Sequence, residues 1–204
     1  MRNIKLVLAS LLIGFVASWE QLPAADQYVV IVLDDSGSMR DRMRRESSAK
    51  MVAAKEALRT VLADIPDGAE VGVLALNSAF DGSKWIAPLG PVDKTTIRQQ
   101  ISGIQAEGST PLGAAMKEAS DALLAVRANQ VYGIYRLLIV TDGEASDQNL
   151  VDRYLPEIKA RGIVTDVIGV DMDGDHSLAT QVTTYRRADD PGSLTQAIAK
   201  VFAE

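Results

Sequence analysis

Asp34, Ser36 and Ser38 stand at alternate positions in the stretch YVVIVLDDSGSM, residues 28–39. One carboxylate and two neutral hydroxyls make an all-oxygen donor set, and Gly37 between them permits the unusual dihedrals of a tight loop. Hard cations take such ligands. Magnesium demands near-octahedral oxygen coordination and usually keeps several waters, so a few protein oxygens suit it better than calcium, which takes a fuller cage. The chemistry expected is the holding of a divalent cation: magnesium first, with manganese and calcium as alternatives.

The element that must deliver this triplet precedes it. Residues 28–33 are apolar throughout and rich in β-branched side chains, without polar alternation. Such a run suits a central strand covered on both faces of a parallel sheet. In open α/β sheets ligands bind beyond the carboxyl ends of central strands, where Asp34, Ser36 and Ser38 would lie.

Two distant segments carry related signals. Gly108-Ser109-Thr110-Pro111-Leu112 reads as a loop opening a helix, and LLIVTDG at 137–143 reads as a second buried strand ending at Asp142. With the first triplet, they resemble the metal-ion-dependent adhesion site of von Willebrand factor type A domains, whose signature is Asp-x-Ser-x-Ser after the first strand. That family adds a threonine from a second loop and an aspartate after a later strand. The resemblance, spanning about 27–202, implies metal ligands Asp34, Ser36, Ser38, Thr110 and Asp142. It also implies a doubly wound, mostly parallel, Rossmann-like α/β sheet with one short antiparallel edge strand and helices on both faces. Taken singly, the three segments are ordinary helix caps and turns; their joint order and placement make the metal reading specific.

The function implied is recognition without catalysis. By that resemblance Ser36, Ser38 and Thr110 would bind the ion through neutral oxygens while Asp34 and Asp142 act directly or through water. This would leave it short of negative charge, so a partner protein's aspartate or glutamate would complete its shell. Arg40, Arg42, Arg44 and Arg45 at 39–46 read as an exposed helix start that could also draw an acidic partner. Three alternatives stay open: a scaffold whose ion merely ties loops together, a partner of a ring-forming ATPase, and an aspartate-nucleophile phosphotransferase of the haloacid dehalogenase type. The last needs a second aspartate where Ser36 stands.

Composition bounds the rest. The 204 residues suffice for one sizeable α/β domain. Arg2 and Lys5 followed by the apolar run 6–18 read as a cleaved signal peptide at 1–18, leaving a linker at 19–26 and the domain at 27–204; an uncleaved anchor is the lesser reading. The expected location is the periplasm or the cell exterior, with a cell-envelope complex as one setting. Losing those two basic residues would move the net charge from -6 to -8, which disfavours nucleic acid. Cysteine is absent, which removes disulfides and thiolate sites.

Further expectations follow from periodicity. A first helix is predicted over 47–65, an edge strand over 84–89, a helix over 95–104 and a long helix opened by Pro111 with Met116 in its core face. Glu144, Ser146 and Asp147 are expected to cap a helix over 148–161. Strands at 162–170 and 185–188 and a helix at 194–202 complete the chain. The acidic run 171–175 reads as a turn, and His176 as a residue of a solvent-facing loop.

Overall fold

A computed structural model describes residues 26–65 and 68–203. The signal peptide read at 1–18 and nearly all of the linker read at 19–26 lie outside the described residues. β1 (Gln27–Leu33) is followed by α1 (Lys50–Ala63), β2 (Glu70–Ala75), β3 (Trp85–Ala87), α2 (Lys94–Gly103) and α3 (Leu112–Arg127). Then come β4 (Ile134–Thr141), α4 (Gln148–Ala160), β5 (Val164–Val170), β6 (Thr184–Ala188) and α5 (Pro191–Ala203), with short 3-10 turns at Gly37–Arg40 and Ser177–Thr180.

The strands form one sheet in the order β3-β2-β1-β4-β5-β6. All pairs are parallel except β2 with β3, which are antiparallel at the edge. β1 is central because its apolar run can be buried on both faces. Val29, Ile31 and Leu33 join a core with α1, α2 and α5. Tyr28, Val30 and Val32 face α3 and α4. At roughly 1.5–3 kcal/mol for each large apolar side chain fully buried, these layers supply the rigidity on which the loops stand.

Sheet order fixes where a site can be. The chain leaves β1 toward β2 on one side, and β4 flanks β1 on the other, so winding reverses between β1 and β4. That reversal opens a crevice at the carboxyl ends of the two strands. Asp34 follows β1 and Asp142 follows β4, which places both at its mouth.

Several local expectations are corrected. The first helix begins at Lys50, later than 47, because buried Met39 and Met43 pull residues 39–49 back onto the core. Arg44 does not simply lie solvated: its guanidinium reaches Asp171 (3.0 Å), Asp173 (2.5 Å) and the Met172 carbonyl (2.7 Å), clipping this loop to the end of β5. β4 starts three residues earlier than its apolar run suggests. Arg136 within it is buried against Asp166 of β5 at 2.8 Å, so a charged residue sits inside the strand. Tyr135 is buried and stacks on Tyr28 with centroids 5.0 Å apart, whereas Tyr132 is exposed.

Candidate metal centre

Asp34 is fixed to the sheet by its own backbone, since its N–H donates to the Val140 carbonyl of β4 at 2.8 Å. Its carboxylate is almost fully buried. Oδ1 accepts from the Ser36 N–H (2.8 Å) and Oδ2 from the Thr141 hydroxyl (2.6 Å). Burial pushes its pKa above the usual carboxylate value, and the hydrogen bonds from Thr141 and Ser36 only partly oppose this. An ionised carboxylate held by these neutral donors is one that a nearby cation stabilises.

From Asp34 the oxygens run outward in sequence. Ser36 Oγ and Ser38 Oγ are 3.1 Å apart, and the Ser38 hydroxyl donates to Asp142 Oδ1 at 2.8 Å. Neighbouring ligands of an octahedral magnesium at about 2.1 Å lie about 3 Å apart, so these spacings match one coordination shell. The other carboxylate oxygen of Asp142 accepts from Lys50 Nζ at 2.9 Å.

Thr110 is brought in by main-chain bonds. The Gly37 N–H donates to the Gly108 carbonyl (3.1 Å), and the Glu107 N–H donates to the Asp35 carbonyl (2.7 Å). On its far side the Thr110 carbonyl accepts from the Ser146 N–H at 2.8 Å. The loops after β1, before α3 and after β4 are thus tied to one another. Gly108 is required at its place: its φ is +77°, and an added Cβ would stand 2.5 Å from Asn77 Oδ1.

Asp35 faces away from this group. Its buried carboxylate accepts from the N–H groups of Asn77 (2.8 Å) and Ser78 (2.6 Å), fastening the loop after β2. Among the described residues no cluster of three or more His, Cys, Asp or Glu side chains is placed to hold a metal. A cation here would depend on hydroxyl oxygens beside carboxylates; Ser36, Ser38 and Asp142 stand together beside Asp34, while Thr110 is tied to this group through its loop's main chain.

Several residues around the centre take roles that sequence reasoning did not assign. Asp147 caps α3 and not its own helix: its carboxylate accepts from the N–H groups of Gly113 and Ala114, both at 2.9 Å. Pro111, at the N-cap of α3, has no side-chain acceptor, so those N–H groups take one from across the crevice. His176 is buried, not on an exposed loop. Its Nδ1 accepts from the Leu178 N–H (3.0 Å), so its Nε2–H donates to the Gly143 carbonyl (2.9 Å), next to Asp142. Desolvation depresses its pKa, opposed by Glu144 and the Gly143 bond. Glu144 turns to Ser177. Thr141 had a visible clue, a hydroxyl directly before Asp142; Lys50 and His176 had none in any motif.

A comparison with curated proteins finds no match. Among solved structures, a von Willebrand factor type A protein from Catenulispora acidiphila is 22% identical, with a TM-score of 0.70 over 88% of this chain and 42% of that one. The pilus adhesin SpaC from Lactobacillus rhamnosus GG is 15% identical, with a TM-score of 0.71 over 90% of this chain and 31% of its own. Proximal thread matrix protein 1 of the mussel byssus, with a zinc-occupied MIDAS motif, is 16% identical, with a TM-score of 0.61 over 88% and 48%. This chain spans less than half the length of each of the three, and at these identities the likeness is one of fold. The model of the von Willebrand factor type A domain family matches residues 29–144, more than half of the chain. The six-stranded sheet, its antiparallel edge and that match agree: the chain belongs to the von Willebrand factor type A domain family.

Proposed function

We propose that this protein is an exported, non-enzymatic recognition module with a complete metal-ion-dependent adhesion site formed by Asp34, Ser36, Ser38, Thr110 and Asp142. Magnesium is the favoured occupant, ahead of manganese and calcium. When bound, the ion supplies a positive charge that a partner protein's aspartate or glutamate neutralises. In this reading residues 1–18 are a signal peptide, 19–26 a linker and 27–204 the domain.

The observation that carries the reading is the run of oxygens from Ser36 to Ser38 to Asp142, spaced at 3.1 and 2.8 Å beside the buried Asp34. Sheet and loops hold these groups before any partner arrives, so little ordering is needed at binding. Exposed Arg40, whose Nε donates to the Gly37 carbonyl at 3.3 Å, adds positive charge at the rim, which favours acidic partners. The SpaC neighbour is a pilus adhesin, and a further neighbour is the type V pili tip protein Mfa5 from Porphyromonas gingivalis, 12% identical. Both neighbours support a setting outside the cell. No helix among the described residues is long and apolar enough to cross a membrane. Against the phosphotransferase alternative, Asp34 is only 1% exposed and both its oxygens accept hydrogen bonds.

The test is capture of partners from cell-envelope extract with magnesium and with a chelator. The proposal expects proteins retained only with magnesium, and their loss on Thr110→Ala in a variant that unfolds like the wild type. Retention indifferent to the chelator and to Thr110→Ala would remove the ion from the contact.

A further inference from the structure

Lys50 is an anomaly at two levels. It is the first residue of α1, where the positive end of the helix dipole disfavours a cation, and the N-cap residue Ala49 offers no side-chain acceptor. It is also largely buried: its side chain is 11% exposed, and its ammonium lies 2.9 Å from a carboxylate oxygen of Asp142 that is itself out of contact with solvent. A lysine set against the local dipole and desolvated at a cluster of ligand-type oxygens breaks two local rules at once, a pattern that marks function more often than stability.

Charge decides what it does there. The five oxygen donors include two carboxylates, Asp34 and Asp142. Ser38 takes one oxygen of Asp142 and Lys50 the other. The ammonium therefore offsets one of the two negative charges directed at a cation. Asp35 adds a charge nearby, but its oxygens are turned to the amides of Asn77 and Ser78.

Resting on the metal reading above, we propose that Lys50 makes the site dependent on an anionic partner. By holding Asp142, its ammonium weakens the site for a cation alone and leaves the bound ion under-neutralised until a carboxylate from outside is added. Lys50 is thus a positioning and specificity residue acting through Asp142. Affinity for the ion and ion-dependent affinity for an acid are set against each other by one side chain.

The experiment titrates the whole domain with Mn2+ by calorimetry, first without carboxylate and then with saturating acetate as the probe acid. The variants are Lys50→Gln, which keeps a donor toward Asp142 and loses the charge, Lys50→Met, which loses both, and Lys50→Arg, which keeps the charge. Removing a full charge beside a dication exceeds about 1.4 kcal/mol, a tenfold factor. Both neutral variants should therefore bind Mn2+ alone roughly tenfold or more tightly than wild type. The gain in Mn2+ affinity that acetate gives wild type should shrink in both and persist in Lys50→Arg. Equal or weaker Mn2+ binding by Lys50→Gln, or an unchanged acetate gain, overturns the role of Lys50 while leaving the metal site standing. Failure of wild type to bind Mn2+ even with saturating acetate overturns the metal reading itself. A purely structural lysine would lower the melting temperature in chelator without moving the acetate gain.

Discussion

Replacing Asp34 by asparagine separates the cost of the site from its use. In the absence of a cation the buried carboxylate of Asp34 is a burden, since burial raises its pKa. An asparagine fits the same contacts. Its Oδ1 can accept from the Ser36 N–H, its Nδ2 can donate to Thr141 Oγ1, and the Thr141 hydroxyl can turn to the Gly143 carbonyl at 3.0 Å. No buried polar atom is left without a partner, so Asp34→Asn in chelator should change stability by less than about 1 kcal/mol or raise it. With magnesium the sign reverses. A ligand at one hundred times its Kd stabilises by about 2.7 kcal/mol, which for a domain of this size is roughly 5–10 °C in Tm. Wild type should show that rise and Asp34→Asn should not. Thermal unfolding followed by circular dichroism, with EDTA and with a magnesium series, reads both arms. A loss of 3 kcal/mol or more for Asp34→Asn in EDTA would show that the carboxylate is structural, and an equal magnesium shift in both proteins would remove Asp34 from the ion.

Other perturbations test the supports. Asp147→Ala should destabilise the domain by about 1–2 kcal/mol, because the Gly113 and Ala114 N–H groups lose their only side-chain cap; urea unfolding checks this, and a change under 0.3 kcal/mol would contradict the cap. For His176, burial depresses the folded pKa below the ordinary value, so as pH falls the unfolded chain protonates first. The neutral ring's contribution is complete above about pH 6.5 and is lost as pH falls through the folded value. His176→Gln should therefore flatten the decline in stability between about pH 7 and pH 5; a curve parallel to wild type across that range would refute the assignment. A generic phosphate ester with magnesium should be left unhydrolysed, and turnover abolished by Asp34→Asn would revive the phosphotransferase reading.

What could be read in the sequence was what is encoded over short spans. The β1 run announces a buried strand because no polar residue interrupts it. Asp34, Ser36 and Ser38 can be proposed as ligands because five consecutive residues contain all three, and Thr110 and Asp142 because each abuts a helix start or strand end. The supports were hidden because their partners are far along the chain. Lys50 meets Asp142 across 92 positions, Thr141 meets Asp34 across 107, and Asp147 reaches back 33 or 34 to α3. Local chemistry gave wrong answers in two such places. Asp147 looks like the cap of α4, yet α3 has a proline at its N-cap and the greater need; His176 follows an acidic turn, yet its two ring nitrogens are matched to a carbonyl and an N–H inside the protein. The start of α1 slipped for a related reason: Met39 and Met43 are anchored by tertiary packing that helical spacing cannot reveal.

Three loops are proposed to hold one cation jointly, with room for an acid from a partner. Crystals grown with Mn2+ and acetate, measured at a wavelength where manganese scatters anomalously, would show whether they do. A single strong peak is expected, bounded by Ser36, Ser38, Thr110 and Asp142 and about 2.1 Å from both serine hydroxyls, with an acetate oxygen in the shell. No peak there at saturating Mn2+, or a peak held by other residues alone, would contradict it.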